Sequence, residues 1–192
     1  KMVSEHASNR RVLNMFCYTG GFSLAALQGG AKSVMSVDSS GDALALAQRQ
    51  MIMNGYSSEL ATWHDADAFA TLRELRGAQE KFDLIVLDPP KFAPSAQHLE
   101  RALKAYKEIN RAALQLLNPG GLLFTFSCSG AVSLEHFEQM IASSVNEALA
   151  HMQDQETNYR ILQRLAAGVD HPVLASFPEG EYLKGLLLQR TQ

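Results

Sequence analysis

The 192-residue chain is predicted to fold as one α/β domain: a doubly wound, mainly parallel sheet with a C-terminal antiparallel hairpin. Three observations predict it. Short apolar runs alternate with helical patterns from Arg11 to about Met152. The runs Val34-Met-Ser-Val37 and Leu84-Ile-Val-Leu87 are almost wholly apolar, as strands covered on both faces must be. Beyond Met152, two strand-like runs follow each other with no helix between them.

Taken in order, strands are expected at Arg11–Tyr18, Ser33–Asp38, Ala61–His64, Phe82–Asp88 and Leu122–Cys128. Helices are expected near Phe22–Gln28, Gly41–Asn54, Ala66–Arg76 and His98–Leu117. Asn118-Pro-Gly-Gly121 stops the last of these and turns the chain into the fifth strand. A helix at about Leu134–Met152 precedes the closing strands, Tyr159–Leu165 and Tyr182–Arg190. Asp170-His-Pro172 and Phe177-Pro-Glu-Gly180 join those strands. The domain is expected to span residues 11–192. Residues 1–10 are mostly polar and read as a linker or truncated N-terminal segment with no compact element of its own.

Composition excludes several classes. No apolar run approaches the roughly 20 residues that cross a bilayer, and no signal peptide opens the chain, so no membrane partner is expected. Two cysteines make no disulfide framework and neither has a CxxC partner, which points to a reducing, cytoplasmic setting without structural zinc. The net charge of −3 argues against a broad phosphate footprint and leaves any RNA contact to a local basic patch.

Ligands of such sheets bind beyond the carboxyl ends of the strands. Five consecutive ends here carry turn or polar residues: Tyr18-Thr-Gly-Gly-Phe22, Asp38-Ser39, Asp65-Ala66, Asp88-Pro-Pro-Lys-Phe92 and Ser127-Cys-Ser-Gly130. Gly20 and Gly21 let the backbone approach a ligand and aim helix N–H groups at it. The missing GxGxxG disfavours a nicotinamide oxidoreductase. Asp38 stands where a carboxylate accepts ribose hydroxyls, with a helix cap as the alternative. Asp65 is balanced between an adenine amino group and a cap. In Asp88-Pro-Pro-Lys91 two prolines stiffen the strand exit and hold the Asp88 carboxylate and Pro89 carbonyl in place. An isolated cysteine is usually core, as Cys17 is expected to be. Cys128 ends a strand on the same rim as Gly20, Asp38 and Asp88, and that reads as a nucleophile.

These stretches, with Val12-Leu-Asn-Met-Phe-Cys-Tyr-Thr-Gly-Gly-Phe22, Ser36-Val-Asp-Ser39, Asp170-His-Pro-Val173 and Pro178-Glu-Gly-Glu-Tyr-Leu-Lys-Gly185, resemble the class I S-adenosylmethionine-dependent methyltransferases. Among these, the chain is similar to the bacterial large-subunit ribosomal RNA (cytosine-5) methyltransferase I family. The resemblance implies a Rossmann-like fold with S-adenosyl-L-methionine held by Tyr18, Thr19, Gly20, Gly21, Phe22, Asp38, Ser39, Asp65, Ala66 and Asp88. It implies 5-methylcytosine as product and 23S ribosomal RNA as partner. Upstream RNA-binding domains, one a PUA domain, and a homodimer belong to the same expectation. Cys128 would add to carbon 6 of cytosine, Asp88 would contact the ring nitrogen edge, and Lys91 would hold the thiolate or a phosphate. The base that removes the carbon-5 proton is not identified, and His171 has no assigned role. Asn14, Phe16 and Tyr18 stand where the superfamily's first motif has an acidic residue and glycines, so Tyr18-Thr19-Gly20 would wrap the methionine part.

Phe92 is either a stacking surface for a flipped base or a core aromatic. Arg101, Lys104, Lys107 and Arg111 form an RNA stripe or a solvated helix face. Two rivals remain: an rRNA guanine N-methyltransferase, which needs no thiol, and a non-catalytic RNA- or cofactor-binding module.

Overall fold

The computed structural model describes residues 1–152, 156–168 and 172–191. Asp170 and His171 lie outside the described residues. The parallel strands are β1 (Arg11–Met15), β2 (Ser33–Asp38), β3 (Ala61–Asp65), β4 (Phe82–Leu87) and β5 (Leu117–Ser127). β6 (Tyr159–Leu165) and β7 (Lys184–Arg190) complete a seven-stranded sheet of order β3-β2-β1-β4-β5-β7-β6. β7 runs antiparallel to both its neighbours. The predicted parallel sheet and closing hairpin are both present.

Burial explains why these runs are strands. Along β4, Leu84 and Val86 enter one core cluster while Ile85 and Leu87 enter the other. A period of two with both faces buried gives the continuous apolar run seen in the sequence. The first cluster packs under α1 (Met2–His6) and α2 (Gly21–Gln28), with Met51 of α3 (Gly41–Met53). The second packs under α4 (Ala68–Gly77), α5 (Leu99–Leu116) and α6 (Leu134–Leu149).

Three expectations are corrected. Residues 2–6 form a helix rather than a linker; Val3 and Ala7 are buried in the core. α1 sits so close to Gly29 that a Cβ there would stand within 3 Å of the Ser4 carbonyl, which only a glycine permits. β1 ends at Met15 rather than Tyr18, because Phe16 and Tyr18 take positive φ values of 59° and 47°. Asn118-Pro-Gly-Gly121 lies within β5, where the β4–β5 register jumps from Phe82↔Leu117 to Leu84↔Leu122 and Gly120 adopts φ 72°. The cluster is a bulge in the strand, with Leu116 ending the helix before it.

Candidate active site

Strand order reverses at the boundary between the parallel strands β1 and β4, from which successive strands step outward both ways, and the crevice above it lies at the carboxyl ends. Gly20 caps α2 in the left-handed region at φ 79°. A Cβ there would meet Ala47 Cβ at 2.8 Å and the Trp63 ring at 3.2 Å, so the turn is packed tightly against two neighbouring elements. Two residues before Gly20, Tyr18 is 69% exposed.

Asp38, at the end of β2, ties this turn in place. Its Oδ2 accepts from Tyr18 N at 2.8 Å and its Oδ1 from Ser40 N at 2.9 Å. A carboxylate has about four acceptor positions, so two remain. The capping alternative goes elsewhere: Ser40 caps α3, accepting from Ala43 N. Asp65 is likewise released, because Asp67 caps α4 by accepting from Ala70 N at 2.8 Å. α4 therefore starts at Ala68, two residues later than expected, and the Ala66 N–H donates to the Asp38 carbonyl at 3.0 Å. Ser39 is exposed.

The thiol lies two strands along from the glycine turn. Cys128 is half-buried directly after β5, and its S–H points weakly at the Pro89 carbonyl, 3.8 Å away. Asp88, just past β4, is half-buried and its carboxyl is raised above the usual carboxylate range by burial. The Cys128 thiol is raised too, by burial first and then by the Asp88 charge; its own backbone N–H, Lys91 and Lys184 pull it the other way. The net direction is upward, so Lys91 alone does not hold a thiolate here. Lys91 itself is exposed.

The loop bearing Cys128 is pinned through Ser129. The Ser129 hydroxyl accepts from Ala93 N at 3.2 Å and pairs with the Tyr106 hydroxyl at 3.0 Å. Its carbonyl accepts from Lys184 Nζ at 3.1 Å. The loop after β4, helix α5 and strand β7 thus converge on the residue beside the thiol. Lys184 and Tyr106 were not identified as site residues from sequence. Lys184 opens an antiparallel strand, whose amino end falls on the same rim as the carboxyl ends of the parallel ones.

Other expectations separate cleanly. Cys17 is 5% exposed and burial lifts its thiol to about 12, so it is core packing, in the turn after β1 rather than in the strand. Phe92 is a packed aromatic, its ring 4.7 Å from Tyr106, 5.9 Å from Phe69 and 6.3 Å from Phe16. The basic stripe on α5 is divided: Lys107 and Arg111 both bind Glu147 of α6, at 2.7 and 3.3 Å, while Arg101 and Lys104 are exposed.

The carboxylates Asp38, Asp65 and Asp88 stand at three strand ends along one rim, over a glycine-turned helix start. This acceptor set suits a ligand presenting donors, such as ribose hydroxyls, an amino group and an ammonium. Residues 1–162 match the family model described as S-adenosylmethionine-dependent methyltransferase. The chain belongs to that family. Its cofactor is S-adenosylmethionine, and the acceptor-lined rim fits it. A curated relative from Tolumonas auensis, named ribosomal RNA large subunit methyltransferase I, is 47% identical over 98% of this chain. One of the same name from Erwinia tasmaniensis is 44% identical over 94%. The chain spans 46% and 44% of those relatives' lengths. Among solved structures, a protein from Streptococcus mutans described as a SAM-dependent methyltransferase superimposes with a TM-score of 0.79. It is 25% identical, covering 98% of this chain and 46% of its own. Another, described as a methyltransferase complexed with SAH, gives 0.81 at 24% identity over 97% and 47%, a match of fold.

Proposed function

We propose that this chain is the catalytic domain of an enzyme that forms 5-methylcytosine in 23S ribosomal RNA, with Cys128 as the nucleophile. The observation that carries this reading is the contrast between the two thiols. Cys17 is sealed in the core, whereas Cys128 stands half-buried at the crevice between Asp88, Lys91 and Lys184. Methyl transfer to a base nitrogen or oxygen has no use for a thiol there. Carbon 5 of cytosine does, because the carbon is a poor nucleophile until a thiolate adds to carbon 6.

The cofactor supplies an electrophilic methyl group on a positively charged sulfur. Tyr18, Thr19, Gly20, Gly21 and Phe22 would wrap its amino-acid part, Asp38 and Ser39 its ribose, and Asp65 and Ala66 its adenine. Asp88, kept partly out of water, binds the nitrogen edge of the cytosine and favours addition at carbon 6. The positive charge of the cofactor and of the two lysines offsets burial and draws Cys128 toward thiolate only when the site is filled. The target base must leave its stack to reach the crevice. With a net charge of −3, the domain leaves the broad RNA grip to the rest of a longer protein of the kind its relatives represent. Ribosomal RNA as substrate places that protein in the cytoplasm.

The test is mass spectrometry of 23S rRNA nucleosides from cells lacking the gene, complemented with the wild type or with Cys128→Ala. Loss of one 5-methylcytidine, restored by the wild type and not by the variant, is the expected result. Loss of a methylguanosine instead would assign the base-nitrogen chemistry and overturn the role of the thiol.

A further inference from the structure

We propose that Lys184 is the base that removes the carbon-5 proton and so releases the methylated cytosine from Cys128. The inference rests on the cytosine reading above and adds the residue that completes its cycle. Its first support is topological. Strand order places β5 between β4 and β7, and Lys184 pairs with Ser127 across the β5–β7 ladder. Asp88 and Lys184 therefore flank Cys128 from opposite sides. The glycine turn, Asp38, Asp65 and Asp88 lie along β1 to β4, on the Asp88 side.

Stereochemistry then assigns the sides. A methyl group arriving at carbon 5 from the β1–β4 side pushes the hydrogen there onto the opposite face of the ring. That face looks toward β5 and β7, where Cys128 has added to carbon 6. A base for this proton must stand beside the thiol and away from the methyl donor. Lys184 meets that requirement. Lys91 is exposed, Asp88 lies on the donor side, and the Tyr106 hydroxyl is buried against Ser129.

The amine is also suited to the task. Among the described residues Lys184 forms no ion pair; its Nζ donates to the Ser129 carbonyl at 3.1 Å, a bond that a neutral amine keeps while its lone pair stays free. Burial pushes Lys184 below its ordinary value and the charge of Cys128 alone opposes this. Once Sγ is a thioether that charge is gone, which favours release of the ammonium proton to solvent. The neutral Nζ then takes the carbon-5 proton. The C5–H electron pair becomes the C5–C6 double bond, and the Sγ–C6 bond breaks with its pair on sulfur. The cycle ends with an ammonium beside a thiolate, the pairing that favours the next addition.

The test uses the full-length enzyme, methyl-labelled cofactor and 23S rRNA from cells lacking the gene. Lys184→Arg retains a charge beside the thiol and cannot accept a proton. Turnover should fall by roughly 10² or more, the usual share of a general base, while a methyl-labelled protein–RNA adduct resistant to denaturant accumulates. Lys184→Gln, which also removes the charge that favours the thiolate, should trap the same adduct more slowly, so the outcome does not hang on one variant folding. Turnover within a few-fold of wild type in either variant overturns the proposal. Slow turnover without the adduct also overturns it, since Lys184 would then act before addition. RNA carrying 5-fluorocytidine separates this from failure of the wider reading, because the wild type must be trapped on it through Cys128. If the wild type is not trapped, the thiol mechanism itself falls.

Discussion

Two clusters of titratable groups sit at opposite ends of the same sheet, and they have opposite effects on the fold. At the amino end, Arg76, Lys81, Arg111 and Arg190 line a cavity of about 650 Å³. Lys81 donates to the Gln115 carbonyl at 2.6 Å, and Arg190 to the Leu117 carbonyl at 2.6 Å and Thr157 at 3.3 Å. These carbonyls end α5 and begin β5, where unpaired acceptors and the negative pole of the helix call for cations. Arg111 is held by Glu147. At the carboxyl end, Cys128 and Asp88 are partly buried with their charged forms disfavoured. The cavity at the amino end is structural, and the crevice at the carboxyl ends is where the proposed chemistry lies. Groups that stabilise the helix end mark the first, and groups whose charged forms are disfavoured mark the second.

The sharpest way to break this comparison is Cys128→Ala, which should lower 5-methylcytidine formation by at least about 10³-fold with an unchanged thermal midpoint. Asp88→Asn comes next. Turnover should fall by about 10²-fold, while the protein becomes more stable at neutral pH. The sign follows from the raised carboxyl. Its stabilising contribution is present below the unfolded pKa of about 4 and is lost as pH rises through the folded value, so wild type and variant converge in acid. The same variant should speed iodoacetamide alkylation of Cys128, whose rate in the wild type should keep climbing past about pH 8.5; Cys17 should stay unmodified until the protein unfolds.

At the other end, Arg190→Leu should cost about 2 kcal/mol in denaturant unfolding, from its charged hydrogen bonds, and leave turnover per folded molecule unchanged. A selective loss of RNA methylation there would erase the distinction between the two ends. The smallest effect is expected for Glu147→Gln, since its exposed pairs with Lys107 and Arg111 should leave the thermal midpoint unmoved.

β4 was the most legible strand, because its residues alternate between two cores and so Leu84-Ile-Val-Leu87 reads as an unbroken apolar run, with β2 close behind. Strand ends were less so. Phe16 and Tyr18 look like strand residues and are not, because positive φ is invisible in an apolar pattern. α1 escaped notice since only Val3 of its five residues, with Ala7 beyond, is buried, and Gly29 made the dock possible from a distant position. On the rim, Cys128 and Asp88 could be placed by counting strand ends. Lys184 could not be placed that way, because a rule that inspects carboxyl ends passes over the amino end of an antiparallel strand. Asp67 took the cap that Asp65 was weighed for, a choice between two carboxylates two residues apart that only backbone geometry decides.

The place of β7 also bears on synthesis. This strand follows β6 in the chain yet lies between β5 and β6, so β5 has its second neighbour only after residues 184–190 have left the ribosome. A nascent chain ending before Lys184 can already contain the glycine turn, Asp38, Asp88 and Cys128. It still lacks the strand that carries Lys184 and anchors the Ser129 carbonyl. β5 would meanwhile present an open hydrogen-bonding edge, the kind of surface that invites wrong partners. Cofactor affinity and complete turnover should therefore appear at different points of translation, because Lys184 is made after every other rim residue named above.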